Sequence, residues 1–152
     1  MHINKKIHLF LLLSCLATTV VAEQISTIKP FTTDGCSLFP DGTFKNKQFW
    51  LSCCTEHDIS YWQGGTWHQR QQSDRALKRC VAKLGQPTIA NLMLNGVRIG
   101  GSPFWPTSYR WGYGWDYLRG YKPLNTLEKQ MINKALQQYK KDLQPKATIK
   151  QE

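Results

Sequence analysis

Acidic residues are scarce in this chain. Ten Asp and Glu stand against twenty Lys and Arg, a formal net charge of +10 at pH 7 over 152 residues. That imbalance implies anionic partners, either nucleic acid or the headgroups of a membrane surface. Long apolar runs are also missing: the stretch from Ile7 to Ala17 is too short to span a bilayer comfortably. No Gly-x-Ser-x-Gly occurs, so the strained serine elbow of many esterases is excluded. Past the first residues only His57 and His68 remain as histidines, and no Cys-x-x-Cys pair exists, which argues against a zinc site. Internal repeats and sharp shifts of composition are lacking, so a single domain is expected.

What is present begins with a leader. Lys5 and Lys6 precede the apolar run, and Val20-Val21-Ala22 offers small residues for cleavage, so residues 1–22 read as a secretory signal peptide removed after Ala22. A competing reading takes Leu12-Leu13-Ser14-Cys15 as a lipoprotein box with Cys15 lipidated. The expected mature chain, 23–152, carries 18 Lys and Arg against 10 Asp and Glu and is exported, either to a periplasm or to the medium. Its four cysteines, Cys36, Cys53, Cys54 and Cys80, suit two disulfides. Adjacent Cys53 and Cys54 rarely meet disulfide geometry with each other, so Cys36 and Cys80 each tie back to the central pair.

That central pair opens the stretch on which the chain is organised, Cys53-Cys54-Thr55-Glu56-His57-Asp58-Ile59-Ser60-Tyr61. A helix from about Lys47 to Gln63 places Trp50, Cys53, Cys54, His57 and Tyr61 on one face, with Asp58 about 100° round. Gly64-Gly65 ends it, and a second helix from about Thr66 to Leu84 carries Arg70, Asp74, Leu77 and Val81 along one side. In an antiparallel hairpin, residues whose numbers have nearly the same sum lie level. His57 then faces Asp74, Cys53 faces Cys80, and Ser60 faces Ser73. Pro87 fits the first turn of a third helix closed by Gly100-Gly101, and Asn125 with Glu128 reads as the capping box of a last helix with a Leu127, Met131, Ala135, Tyr139 stripe. A frayed tail is expected from about residue 144.

These residues resemble the secreted phospholipase A2 superfamily over Asp34 to about Val81. Cys-Cys-x-x-His-Asp-x-x-Tyr is present at Cys53 to Tyr61, Asp74-Arg75 stands six residues before Cys80, and Asp34-Gly35-Cys36-Ser37 followed by Pro40-Asp41 is similar to the calcium loop of the bacterial and fungal branch. The resemblance implies a small, mainly helical, disulfide-braced domain built on an antiparallel helix pair. It implies Cys36–Cys54 and Cys53–Cys80 bridges, and catalysis by His57 with Asp74, braced by Tyr61. It also implies Ca²⁺ held by Asp58, Asp34 and the Gly35 carbonyl, with an anionic phospholipid membrane as partner. The expected activity is hydrolysis of the sn-2 ester of glycerophospholipids; the alternatives are a non-catalytic module docking on membranes or a protein, and an exported hydrolase of another ester or polymer.

Between Phe104 and Tyr121 the sequence departs from everything before it, with eight aromatics interleaved with arginines, glycines and prolines. Such a segment more often packs in core and loops than forms a binding face; if it does face a membrane interface, Trp105, Arg110, Trp111 and Trp115 are the candidates for contact. Export and disulfides argue against the single-stranded nucleic acid that such interleaving also suits.

Overall fold

The computed structural model describes residues 26–144, and the expected leader, Cys15 and nearly all of the expected tail lie outside them. Among the described residues there are four helices and no strand: α1 (Leu51–Gln63), α2 (Trp67–Lys83), α3 (Pro87–Gly100) and α4 (Thr126–Leu143). Disulfides join Cys36 to Cys54 and Cys53 to Cys80. No described helix is long and apolar enough to cross a membrane.

Capping boxes set the starts of α2 and α4, the second of them legible in the sequence. Thr66 and Gln69 exchange hydrogen bonds at the head of α2, and Asn125 and Glu128 do so at the head of α4. Pro87 stands in the first turn of α3. At α1 the outcome differs from expectation, because residues 47–50 form turns and the helix begins only at Leu51. The Trp50 amide is taken by the Asp41 carbonyl at 3.0 Å and its indole N–H by the Pro40 carbonyl at 2.6 Å. Both donors serve the preceding loop, so the helix opens one residue later.

Two apolar clusters lie on opposite sides of α1. Trp50, Cys53 and Cys54 join Leu77 and Val81 of α2 and Ala90 and Met93 of α3 in the first. Trp62 joins Phe31, Trp115 and Ile132 in the second, where Phe31 sits edge-on to Trp62 at 5.6 Å and to Tyr139 at 4.7 Å. The stripe of α4 requires a correction: Leu127 is half exposed and the inward place in the first turn belongs to Glu128. Arg119 donates to the Glu128 carboxylate at 2.9 Å, holding it below the usual carboxylate range.

The segment between α3 and α4 closes the open end of α1. A helix C-terminus leaves its last carbonyls unpaired, and here the Gly112 amide takes that of Tyr61, the Gly114 amide that of Trp62, and the Trp115 indole that of Gln63. Trp111 donates to the Gly65 carbonyl at 2.9 Å just beyond. Backbone meets backbone at this crossing: a Cβ on Gly64, whose φ is +66°, would lie 2.9 Å from the Gly112 Cα. Trp111 and Trp115 are therefore structural plugs, 2% and 0% exposed, and Arg110 is buried with its guanidinium on the Trp115 and Thr107 carbonyls. None of these three can face a membrane. Only Trp105 of the four candidates is exposed, beside Phe104.

Candidate active site

The antiparallel pairing of α1 and α2, fastened by the Cys53–Cys80 bridge, brings His57 and Asp74 face to face. His57 Nε2 lies 3.1 Å from Asp74 Oδ1, and the Tyr61 hydroxyl, one turn further along α1, donates to the same oxygen at 2.8 Å. The His57 and Tyr61 rings stack at 4.2 Å. Burial, then the Asp74 charge, pushes the Tyr61 phenol far above its usual range, so it remains a proton donor to the carboxylate. With Nε2 engaged, Nδ1 is the ring nitrogen available to receive a proton.

Asp74 is wholly buried and has cationic neighbours for which the sequence assigned no role. Arg98 of α3 places Nε 2.7 Å from Asp74 Oδ2, an ion contact whose angles fall short of a directed hydrogen bond. Arg70 Nε is 4.0 Å from the same oxygen and donates to the Tyr61 hydroxyl at 3.0 Å. The rest of the Arg70 guanidinium reaches Tyr121 and the Val97 and Arg98 carbonyls, tying α2 to the end of α3. A buried carboxylate without such partners would carry a large desolvation cost. Arg70 shares the Asp74 face at a spacing of four, which is a readable signal; Arg98 depends on how α3 docks, for which no local signal exists.

Asp58 projects beside this group toward the loop after the N-terminal arm. Its carboxyl is pushed up to about 7, chiefly by burial, against a stabilising hydrogen bond from Thr33 and with added repulsion from Asp34 and Asp41. Thr33 donates to Asp58 Oδ2 at 2.6 Å and accepts the Gly35 amide at 3.1 Å. Gly35 has φ +78°, and a Cβ there would meet the Asp41 carboxylate, which itself accepts the Cys36 amide at 2.8 Å. Asp34 lies on the exposed side of the loop and accepts the Ser37 hydroxyl at 2.6 Å.

Among the described residues no three His, Cys, Asp or Glu side chains gather closely enough to hold a metal alone. A cation here would need backbone carbonyls and water as well as Asp58. The donor set is all oxygen, and Asp58 forms no ion pair with a described cationic side chain. A buried carboxyl with no cationic side-chain partner, set among oxygen donors, fits a hard divalent cation such as Ca²⁺.

A cavity of about 440 Å³ opens from His57 and Asp58. Its walls are largely apolar, with Leu77 and Tyr61 on the helix pair, Met93 and Val97 on α3, and Phe39 on the loop. Exposed Leu38, Leu92 and Gly96 form the rim. A Cβ on Gly96 would meet nothing within 4 Å, so no packing demand explains glycine in this helix interior. Gly96→Leu is expected to raise the melting temperature, because leucine is the better helix former and nothing packs against this position. A thermal melt of the two proteins checks this.

The far side of the helix pair lacks such features. Ser60 and Ser73 line a shallow polar groove there with Gln63, Gln72 and Arg79, and His68 is at the surface. Comparison of the chain with protein families, curated proteins and solved structures finds no match.

Proposed function

We propose that this protein is a calcium-dependent hydrolase of phospholipase A2 type, cleaving the sn-2 ester of glycerophospholipids at an anionic membrane surface. The observation that carries the reading is the joint position of His57, Asp74 and Tyr61 at the polar end of an apolar cavity, with buried Asp58 alongside. The two disulfides and the helix pair they brace support a phospholipase A2-like architecture, and the disulfides suit the oxidising surroundings of an exported chain.

Each residue has a distinct task. His57 takes a proton from a water at Nδ1, so the water attacks the ester carbonyl directly with no serine nucleophile. The imidazolium returns that proton to the alcohol oxygen as the ester bond breaks. Asp74 holds Nε2 in the protonated tautomer and stabilises the imidazolium that forms. Tyr61 fixes the Asp74 oxygen that His57 uses, while Arg98 and Arg70 offset the charge of the buried carboxylate. Asp58 and Asp34, with the Gly35 carbonyl, would hold Ca²⁺, which when bound polarises the carbonyl and neutralises developing oxyanion charge. The apolar cavity receives the acyl chain.

The test is substrate class. The oxidised protein is expected to release fatty acid from phospholipid vesicles and to leave triacylglycerols and simple aryl esters nearly untouched. Turnover confined to the non-phospholipid esters would transfer the site to a different hydrolase.

A further inference from the structure

Two side chains from separate parts of the chain converge on Asp58 without touching the His57 imidazole. Thr33, in the arm, gives its only hydroxyl proton to Asp58 Oδ2 and receives the Gly35 amide on the same oxygen. One atom thus joins the carboxylate on α1 to the turn that carries Gly35. That bond takes one lone pair of Oδ2 and leaves Oδ1 without a hydrogen-bond donor among the described residues. Tyr113, from the segment between α3 and α4, donates its phenol proton to the Thr32 carbonyl at 2.7 Å, and its oxygen is 3.3 Å from the Asp58 carbonyl.

The surroundings make these links restrictive. Upstream, the Lys29 amide donates to the Gly114 carbonyl, and Phe31 is packed against Trp62. Downstream, the Cys36–Cys54 bridge ties the loop to α1 covalently. Between those anchors, Thr33 and Tyr113 are the side chains that hold the arm against α1 at the level of Asp58.

We propose that Thr33 and Tyr113 are positioning residues of the cation site, setting the separation between the Asp58 carboxylate and the Gly35 turn before a cation arrives. The proposal rests on the reading of Asp58, Asp34 and Gly35 as calcium ligands. Its physical basis is that affinity for Ca²⁺ depends on ligand rigidity, and that hydrogen bonds to the ligands govern their orientation. It also gives the segment after α3 a part in the site: the backbone and indoles of this segment close α1, and its tyrosine fixes the metal loop.

Calorimetric titration of the oxidised protein with CaCl₂ tests this without reference to turnover. Thr33→Val, which keeps the shape and removes the hydroxyl, is expected to raise the Ca²⁺ dissociation constant about 10- to 100-fold. Tyr113→Phe removes one hydroxyl from a half-buried ring and is expected to raise the constant by a smaller factor. Thr33→Ser keeps the hydroxyl and is expected to bind like wild type. Far-UV circular dichroism is expected to be the same for all four proteins. Unchanged constants in both Thr33→Val and Tyr113→Phe, with wild type binding normally, overturn the positioning role and leave the hydrolase reading intact. A wild type that binds no Ca²⁺ overturns both this proposal and the cation half of that reading.

Discussion

His57→Gln is expected to abolish fatty-acid release, lowering the rate by about 10³-fold or more, while leaving the protein folded and its affinity for anionic vesicles unchanged. General bases contribute about 10²- to 10⁴-fold, and here the acceptor nitrogen belongs to an imidazole held by Asp74 and packed against Tyr61. Glutamine fills a similar volume and can still donate toward Asp74, so the carboxylate retains Tyr61, Arg98 and a polar neighbour. The variant therefore separates turnover from binding. A protein that releases fatty acid at the wild-type rate after this change does not use His57 as its base. Equal vesicle affinity with no turnover in either protein would identify a docking module.

Asp58→Asn is expected to produce the second large effect, on stability and on Ca²⁺ binding together. The Asp58 carboxyl is pushed up to about 7 from the ordinary value of 3.8. The folded protein therefore keeps a proton that the unfolded chain releases between those two values. Metal-free stability is highest at the acid end of this window and falls as pH rises through about 7, once the buried carboxyl must ionise. At 1.36 kcal/mol per unit the penalty is bounded at about 4 kcal/mol. Asparagine accepts the Thr33 proton and carries no charge. The metal-free variant is thus expected to melt several degrees above wild type at about pH 8, to keep a smaller part of that advantage at about pH 5, and to lose most of it by about pH 4. Excess Ca²⁺ is expected to raise the melting temperature of wild type, with about 2.7 kcal/mol of stabilisation at one hundred times the dissociation constant, and to leave the variant unchanged. Scanning calorimetry at the two pH values, with and without Ca²⁺, measures all of this. A variant that still gains stability from Ca²⁺ would remove Asp58 from the ligand set.

Much of the helix pair was legible because its signals are local and mutually consistent. Gly64-Gly65 marks the turn, the numbering of His57, Asp74, Cys53 and Cys80 agrees on one register, and the Asn125 and Glu128 capping box marks the start of α4. What stayed hidden depends on contacts between distant segments. Trp111 and Trp115 suit core packing and a membrane interface alike in the sequence, because the carbonyls that recruit their indoles lie at the end of α1, about fifty residues earlier. Arg98 carries no mark in the sequence of α3 that would assign it to Asp74. Leu127 fits the α4 stripe as well as any residue and loses its inward place to Glu128 only because Arg119 arrives opposite. Thr33 lies one residue before the loop motif, where nothing local distinguishes it from Thr32.

The most direct measurement uses the oxidised protein and mixed anionic phospholipid vesicles whose sn-1 and sn-2 chains carry different labels, assayed with Ca²⁺ and then with excess chelator. The expected result is release of the sn-2 chain alone, lost on chelation and restored by added Ca²⁺. Release of both chains, release indifferent to the chelator, or no release from folded protein bound to the vesicles would each contradict a calcium-dependent sn-2 hydrolase.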